Sequence, residues 1–225
     1  MKSSFDFDAV ARYYDGFYTS RVGKKIDEQE KAAVMQLLPG ADTHPRLIEA
    51  GSGTGHWSSW FASLGYRVTG VEISGEMTDL ARQKNIPGTG FIHGDFMNVD
   101  PGADYDLGLF ITSLEFMPDY ERALERMASL VRPGGYIITG VLNKYSYMGL
   151  SRRIRGSREP VYHSARFFSR AELSGALSRF GAAQVRASTF VVPSEKLLFC
   201  ADLLERIGPV LCPGCGNFLT GRVEI

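Results

Sequence analysis

One short stretch constrains the fold of this chain more than any other: an apolar run that ends in a carboxylate and leads into three alternating glycines. It reads Leu47-Ile48-Glu49-Ala50-Gly51-Ser52-Gly53-Thr54-Gly55. Glycine has no Cβ, so the backbone here can turn sharply and approach a ligand closely. A second apolar run ends in Glu72, where an acid is placed to accept hydrogen bonds from ribose hydroxyls. The pattern predicts a strand, a tight loop and a helix that hold a nucleotide-type cofactor.

The spacing of the glycines distinguishes between classes of cofactor. A dinucleotide fingerprint, G-x-G-x-x-G, that began at Gly51 would need glycine at position 56, where this chain has His56. A pyrophosphate also needs an approach free of negative charge, and Glu49 would repel it. The observed pattern, E-x-G-x-G-x-G, resembles the first motif of class I S-adenosylmethionine-dependent methyltransferases. The resemblance implies that Glu49 lies near the positive charges of S-adenosylmethionine and that the loop packs against its amino-acid part through Gly51, Ser52, Gly53 and Gly55.

Two further segments follow in the order of that family. Ser74 can cap a helix whose apolar residues share one face, directly after Glu72 and Ile73. In the family, the acid binds the ribose and the next residue lies against the adenine; a solvated acid at a strand end is the plainer alternative for Glu72. The segment Phe91-Ile92-His93-Gly94-Asp95-Phe96 resembles the one in which an aspartate takes the adenine amino group and the next backbone N–H meets the ring. Taken alone, its Gly94-Asp95 is an ordinary turn.

The apolar run at 105–116 resembles the fourth strand of the same core, and the run at 130–138 contains the fifth. The segment between them resembles the fourth helix, which Pro133-Gly134-Gly135 is predicted to end. Thr112, at the end of the fourth strand, joins the predicted cofactor-binding residues. The predicted fold is therefore α/β, a doubly wound, seven-stranded Rossmann-like methyltransferase sheet with helices on both faces. The resemblance implies that its last strand is antiparallel.

We expect a single methyltransferase domain over 1–225. Its predicted parts are an N-terminal helical lid (1–40), a cofactor-binding core (41–142), a cover insertion (143–169) and a C-terminal completion of the sheet (170–225). Strands are predicted near 46–50, 66–72, 89–93, 105–111, 135–142, 183–190 and 217–224. Helices are predicted within 5–38 and near 56–64, 75–84, 119–131, 170–180 and 195–207.

The composition of the chain bears on which kinds of partner it can bind. The chain has 25 basic and 25 acidic residues, so no overall field favours nucleic acid or an acidic surface. No apolar run approaches the roughly 18 residues of a membrane span, and the N-terminus lacks the apolar segment of a secretory signal. We expect a cytoplasmic protein with a small-molecule substrate, no nucleic acid and no stable membrane insertion. The oligomeric state is left open.

Two segments are candidates to cover the substrate. Residues 5–18 are rich in aromatics and resemble the lid of small-molecule methyltransferases. There Tyr14 could border the methyl donor, since aromatic faces attract cations by about 0.5–2 kcal/mol, or it could simply pack on the core. Between Lys144 and Arg170 the chain has seven basic residues against one acid, Glu159, a net charge of +6. This charge could attract an anionic substrate, or it could be a solvated surface.

Catalysis needs few groups in this fold. No N-P-P-Y-type tetrad follows the fourth strand, which argues against methylation of adenine or of a glutamine amide. If the reaction needs a base, His163 is the first candidate because imidazole titrates near neutral pH, although a surface or packed histidine is the alternative. Glu115 could orient the acceptor or contact the neighbouring loop, and Tyr14 could act beside the methyl donor.

The three cysteines, Cys200, Cys212 and Cys215, do not supply the four ligands of a structural zinc site, so no metal is predicted and a turn is favoured.

The expected function is methyl transfer from S-adenosyl-L-methionine to a small molecule by in-line displacement. Two alternatives stay open: a methyltransferase-like module that binds the cofactor without turnover, and a nucleotide-dependent oxidoreductase.

Overall fold

The computed structural model describes residues 5–155 and 164–225 and, within 153–155, the backbone alone. Its seven strands form one sheet in the order β3-β2-β1-β4-β5-β7-β6. Their bounds are β1 Arg46–Ala50, β2 Arg67–Glu72, β3 Thr89–His93, β4 Tyr105–Ile111, β5 Val131–Leu142, β6 Gln184–Ser188 and β7 Phe218–Glu224. Only β7 runs against its neighbours, β5 and β6. The predicted doubly wound sheet with an antiparallel last strand is therefore confirmed.

Helices cover both faces of the sheet. They are α1 Ala11–Tyr14, α2 Gly16–Thr19, α3 Arg21–Met35, α4 His56–Ser63, α5 Gly75–Gln83, α6 Tyr120–Leu130, α7 Tyr147–Arg155, α8 Arg170–Leu177 and α9 Ala201–Leu211. One buried cluster joins the sheet to α6 and α8, and a second joins it to α3 and α4. β4 is buried along its whole length, as a strand enclosed on two faces must be. In the part of the chain that the structure describes, no helix is both long enough and apolar enough to cross a membrane.

The N-terminal region is helical, as predicted for residues 5–38, and it is divided into several short elements. A 3-10 turn, Asp8–Val10, and two one-turn helices precede α3. Ser20 divides α2 from α3 because its backbone is extended and its hydroxyl accepts a hydrogen bond from the N–H of Gly23 at 2.9 Å, which caps α3. The segmented chain bends over the carboxyl ends of the strands.

Three boundaries differ from the predicted ones. β5 begins at Val131, which pairs with Tyr105, so the strand follows α6 without a loop. The insertion 143–169 contains α7, whose first turn is held by the hydroxyl of Ser146, which accepts from the N–H of Gly149 at 2.9 Å. A 3-10 helix at Glu195–Cys200 precedes α9, and α9 continues past Pro209 to Leu211.

Candidate functional site

The glycine loop after β1 is built from three left-handed residues. Gly51, Gly53 and Gly55 have φ angles of 76°, 53° and 78°. A Cβ added at Gly51 would lie 2.5 Å from the Cβ of Ser113, so this glycine lets the end of β1 pack against the end of β4. A Cβ added at Gly53 would meet nothing nearer than the Met77 sulfur and a ring carbon of Tyr14, each at 3.8 Å. Gly53 therefore faces open space and leaves room for a ligand.

A cavity of about 250 Å³ lies over this loop, at the carboxyl ends of β1, β2, β3 and β4. Ligands of open parallel sheets bind at this edge. Eight of the predicted cofactor residues line it: Tyr14, Gly51, Gly53, Glu72, Ile73, Asp95, Phe96 and Thr112. Six lining residues that were not predicted come from the segment after β4 and the first turn of α6: Ser113, Phe116, Met117, Pro118, Asp119 and Arg122. One of them could have been found from the sequence, because Asp119 precedes the apolar periodicity of α6 and caps that helix.

Glu72 ties the loop to the second strand. Its carboxylate accepts hydrogen bonds from the N–H of Gly53 at 2.8 Å and from the N–H of Ser74 at 2.9 Å. Burial raises the pKa of Glu72, while these backbone donors act to lower it. A carboxylate has about four acceptor positions, so Glu72 retains capacity for the two hydroxyls of a ribose.

Asp95 and Phe96 form the adjacent wall after β3. The two carboxylate oxygens of Asp95 accept from the N–H of Met97 and from the side-chain amide of Asn98, each at 2.9 Å. The Phe96 ring is buried and meets the Phe110 ring edge to face, with centroids 5.6 Å apart. Asp95 and Phe96, which the resemblance assigns to the adenine end through a carboxylate and a backbone N–H, therefore both line the cavity.

Thr112 has an unusual backbone at the end of β4. Its φ of +48° is rare for a β-branched residue and costs conformational energy. The conformation is held from both sides: the N–H of Thr112 donates to the carbonyl of Gly140 at 2.7 Å, and the hydroxyl of Ser113 donates to the carbonyl of Ala50 at 2.6 Å. The chain thus leaves the sheet sharply, and both residues line the cavity.

Three predicted cofactor residues lie behind the loop instead of on the cavity: Glu49, Ser52 and Gly55. Glu49 is 1% exposed and accepts a hydrogen bond from the hydroxyl of Ser58 on α4. Burial raises its pKa to about 8, although the hydrogen bond from Ser58 acts to lower it. Ser52 is also buried, and a Cβ at Gly55 would meet the Phe91 ring at 2.9 Å. The three residues support the loop from beneath.

Residues 5–20, which we call the lid because a lid is predicted in this region, contribute Phe7 and Tyr14 to the wall of the cavity. Asp8 accepts from the hydroxyl of Ser74 and from the N–H of Glu76, which fixes the lid to the start of α5. These hydrogen bonds lower the pKa of Asp8, the bond from Ser74 most of all. Asp15 accepts from the hydroxyl of Thr54 and pairs with Lys84 at 2.7 Å. Tyr14 is consequently held beside Gly53.

The predicted catalytic residues have different positions. Tyr14 lines the cavity, whereas Glu115 is buried beside it and accepts from the N–H of Leu142 at 2.9 Å. The sequence left open a contact of Glu115 with the neighbouring loop, and the hydrogen-bond donor is Leu142, the last residue of β5. His163 lies outside the described residues, so its role stays a prediction.

Part of the basic insertion is engaged in local contacts. Lys144 and Arg166 each approach the carboxylate of Glu172 at 3.5 Å, and the Arg166 guanidinium lies 4.7 Å from the Tyr120 ring centroid.

Cys212 and Cys215 form a disulfide across a turn, and Cys200 is a free thiol. Over 5–155 and 164–225, no group of three or more histidine, cysteine or acidic residues is arranged to hold a metal ion.

The groups that line the cavity are of the kinds that S-adenosylmethionine needs. A side chain at Gly53 would project into the cavity, Glu72 has acceptor capacity at its wall, and Asp95 and Phe96 lie together on that wall. The Tyr14 ring lies beside Gly53, where it can face a positively charged sulfur. No pyrophosphate-binding glycine follows Gly53 at the required spacing.

Comparison with known proteins agrees with this geometry. A family model described as a methyltransferase domain matches residues 22–187. A crystal structure from Thermotoga maritima, described as an S-adenosylmethionine-dependent methyltransferase and possible histamine N-methyltransferase, is 28% identical, with a TM-score of 0.76 and 96% coverage of both chains.

Two curated relatives are similar over a shorter part of their own length. The biotin biosynthesis bifunctional protein BioHC of Cellvibrio japonicus is 27% identical over 86% of this chain and 39% of the relative. The malonyl-[acyl-carrier protein] O-methyltransferase of Pectobacterium atrosepticum is 28% identical over 65% of this chain and 55% of the relative. This chain therefore spans less than two thirds of the length of either protein. It belongs to the methyltransferase domain family, and its structure is similar to that of an S-adenosylmethionine-dependent methyltransferase.

Proposed function

We propose that this enzyme methylates a small-molecule acceptor held between the lid and the carboxyl ends of β4 and β5. The observation that carries the proposal is the cavity, because eight of the predicted cofactor residues line its wall and the lid contributes Phe7 and Tyr14 to it. Relatives point to the same size of acceptor, since the Thermotoga protein is described as a possible histamine N-methyltransferase. The Pectobacterium relative is named for an acceptor carried on a protein, so the acceptor group is a separate question.

The residues of this chain act mainly by positioning. When bound, S-adenosylmethionine supplies a methyl group that the sulfonium charge has already activated. Glu72 and the wall formed by Asp95 and Phe96 orient the nucleoside part, and the glycine loop admits the amino-acid part. The lid, fixed through Asp8 and Asp15, excludes water and holds Tyr14 over the transfer region. Positioning of this kind can supply roughly 7–11 kcal/mol of the barrier reduction, so a base is optional for an acceptor with a free lone pair.

An anionic acceptor is a second candidate, suggested by the basic residues of the insertion 143–169. Its support is smaller than the sequence indicates, because Lys144 and Arg166 both face Glu172 and the Arg152 guanidinium lies 5.4 Å from the Phe167 ring centroid. Reversing the charges of Arg152, Arg153 and Arg155 tests this candidate. A raised KM for a carboxylated acceptor, with unchanged cofactor affinity and a dependence on salt, would support an anionic acceptor.

Two measurements test the proposed function. Calorimetric titration with S-adenosylhomocysteine and with NAD should give saturable binding of the first and none of the second. Transfer of labelled methyl groups from S-adenosylmethionine to a panel of small amines, alcohols, phenols and carboxylates should then identify the acceptor class. Tight binding without transfer to any acceptor would favour a binding module, and binding of NAD would favour an oxidoreductase.

A further inference from the structure

The outer face of α9 is apolar. From the 3-10 helix that precedes α9 to its last turn, five exposed side chains follow one another at helical spacing: Phe199, Leu203, Ile207, Val210 and Leu211. Phe199 is 86% exposed, and Val210 and Leu211 are 80% and 76% exposed. A surface helix normally turns polar residues outward, so an exposed stripe of this kind marks a surface that binds an apolar partner.

The other face of α9 already has its partners within the fold. Ala201 is fully buried, and its carbonyl accepts from the side-chain amide of Gln29 on α3 at 3.3 Å. The Glu205 carboxylate accepts from the N–H groups of Thr189 and Phe190 at 3.1 and 2.8 Å. The helix is therefore held from one side, and its apolar stripe does not belong to a core.

The start of α7 lies beside the turn that follows α9. The side-chain amide of Asn143 donates to the carbonyls of Gly214 and Gly216 at 2.8 and 2.7 Å. The N–H of Met148 donates to the side-chain carbonyl of Asn217 at 3.2 Å. Three more exposed side chains with large apolar parts lie on this side of the junction: Tyr145, Tyr147 and Leu150. We call the surface formed by residues 144–155 and 195–211 the apolar face.

The apolar face lies at the same edge of the sheet as the cavity. α7 follows the carboxyl end of β5. β5 and β6 are both antiparallel to β7, so they point the same way, and the chain from β6 to α9 also starts at that edge. A partner of the apolar face is therefore on the side of the molecule where the cavity lies.

The charges on the apolar face favour an anionic partner. The part that contains α7 has four basic residues and no acid. The part that contains α9 has three acids, of which Asp202 pairs with Lys25 at 2.6 Å and a second accepts from the two backbone N–H groups described above. The third acid, Glu195, stands against Lys196 and Arg206, which are exposed and enter no ion pair among the residues that the structure describes. The free charge on the face is thus positive.

We propose that the apolar face docks on the surface of a bilayer that contains anionic lipid. Its exposed aliphatic and aromatic side chains enter the boundary between headgroups and acyl chains, and its basic side chains face the lipid phosphates. The docked chain lies on the bilayer and does not cross it. Docking is a property beyond the proposed methyl transfer and does not depend on which acceptor is methylated.

Two other occupants fit the face less well. A second copy of this chain would bring the same excess of positive charge against it, and like charges across an interface oppose association. A nucleic acid would engage the basic residues, but Val210 and Leu211 have no ring on which a base could stack. An anionic lipid surface satisfies the apolar stripe and the basic residues together.

The test is co-sedimentation of the purified protein with vesicles. One set is phosphatidylcholine alone, and the other contains about a third phosphatidylglycerol; both are used at low and at high salt. Phe199→Asp/Val210→Asp removes the two most exposed apolar side chains of the α9 part, and Arg206→Gln removes one charge. The matched controls are Met35→Asp, an exposed apolar position at the end of α3, and Arg67→Gln, an exposed basic position at the start of β2, at the opposite edge of the sheet. The Tm of every variant reports its folding.

We expect the wild type to sediment with the anionic vesicles, much less with the neutral ones, and less at high salt because screening weakens attraction between surface charges. Phe199→Asp/Val210→Asp should lower the binding constant by more than about tenfold, since it places two charges where apolar contact is made. Arg206→Gln should lower it about fivefold, the effect of one basic residue near an anionic surface. Met35→Asp and Arg67→Gln should match the wild type.

Other results would overturn the proposal. No sedimentation with anionic vesicles, or an equal loss in the controls, would show that the face does not bind lipid. Dimerisation of the wild type that Phe199→Asp/Val210→Asp abolishes, without vesicle binding, would assign the face to a second copy. Binding of single-stranded RNA in place of vesicles would assign it to nucleic acid.

A single substitution decides the question if the double variant does not fold. The emission of Val210→Trp should shift to shorter wavelength when anionic vesicles are added, and an unchanged emission contradicts docking. Binding of S-adenosylhomocysteine is measured without vesicles. A failure of docking therefore leaves the proposed function intact, and a failure to bind S-adenosylhomocysteine leaves the docking result unaffected.

Discussion

The Glu72 carboxylate accepts from two backbone N–H groups and also lines the cavity. We expect Glu72→Ala to weaken binding of S-adenosylhomocysteine by about 1.5–3 kcal/mol, the range for hydrogen bonds to a charged group. Isothermal titration calorimetry measures this change. Glu76→Ala is the control, because that side chain is exposed on α5 and is not among the residues that line the cavity. Unchanged affinity in Glu72→Ala would remove Glu72 from the site.

The two cavity glycines should respond differently to the same substitution. Gly51→Ala creates a contact of 2.5 Å with the Ser113 Cβ, so we expect a large fall in Tm. Gly53→Ala brings the added carbon no nearer than 3.8 Å to the protein. The free energy of unfolding should therefore fall only by the cost of a left-handed alanine, about 1–2 kcal/mol, while cofactor binding is lost.

Gly102→Ala measures the cost of a left-handed alanine alone, because Gly102 is left-handed with φ +83° and has no atom within 4 Å of an added Cβ. Calorimetric Tm values and S-adenosylhomocysteine affinities for the three variants complete the comparison. Equal loss of stability and of binding at Gly53 would show that this glycine serves only the turn.

For single residues, the sequence predicts the surroundings of those whose position a local motif determines. The glycines and Glu72 occupy strand ends, where period-two burial and turn chemistry indicate their surroundings. Glu49 shows the limit of that reasoning: it shares a face of β1 with Leu47, which packs against α4, so its side chain points beneath that helix to Ser58. The partner of Glu115 is Leu142, on another strand, and a single sequence gives no signal for that contact.

At the scale of elements, the lid is the part whose conformation the function needs most. It is held by Asp8 on the start of α5 and by Asp15 on Thr54 and Lys84. We expect the double variant Asp8→Asn/Asp15→Asn to release S-adenosylhomocysteine several-fold faster, because both latches lose charge-assisted hydrogen bonds. Stopped-flow displacement measures the rate.

Asp79→Asn is the control for the lid, since Asp79 forms only an exposed pair with Arg82 at 3.6 Å on the surface of α5. If the double variant releases the ligand at the same rate as this control, the latches do not limit release. The lid would then contribute aromatic contacts alone.

The elements themselves divide into predictable and unpredictable ones. α8 was predictable because Ser169 and Glu172 form a capping box, and both of its hydrogen bonds are present. α7 was not, since its first turn depends on Ser146 and on a hydrogen bond from the N–H of Met148 to Asn217, which is distant in sequence. The predicted role of the insertion 143–169 as a substrate cover remains a prediction.

For the whole molecule, buried acids determine how stability varies with pH. Burial raises the pKa of Glu30 and of Glu49 to about 8, and that of Glu115 to about 7, all from 4.5. Between pH 4.5 and these values the folded protein binds more protons than the unfolded chain does. The free energy of unfolding should therefore fall as pH rises through this window, by at most about 1.4 kcal/mol per pH unit for each group.

The measurement is the Tm between pH 5 and 8. Glu49→Gln keeps the hydrogen bond with Ser58 and removes one titration, so its Tm should decline less steeply than that of the wild type. Asp106 has a lowered pKa through its contacts with Arg46 and Arg132, and it loses stabilising charge only at more acidic pH. A wild-type Tm that rises across this window would contradict the account of the buried acids.

The central claim is that the cavity over the glycine loop holds S-adenosylmethionine. A crystal structure of the protein with S-adenosylhomocysteine tests it most directly. The account predicts ribose hydroxyls within hydrogen-bond distance of Glu72, the adenine between Ile73 and Phe96, and the sulfur facing Tyr14 across Gly53. A ligand bound elsewhere, or in this cavity with its ribose away from Glu72, would contradict it.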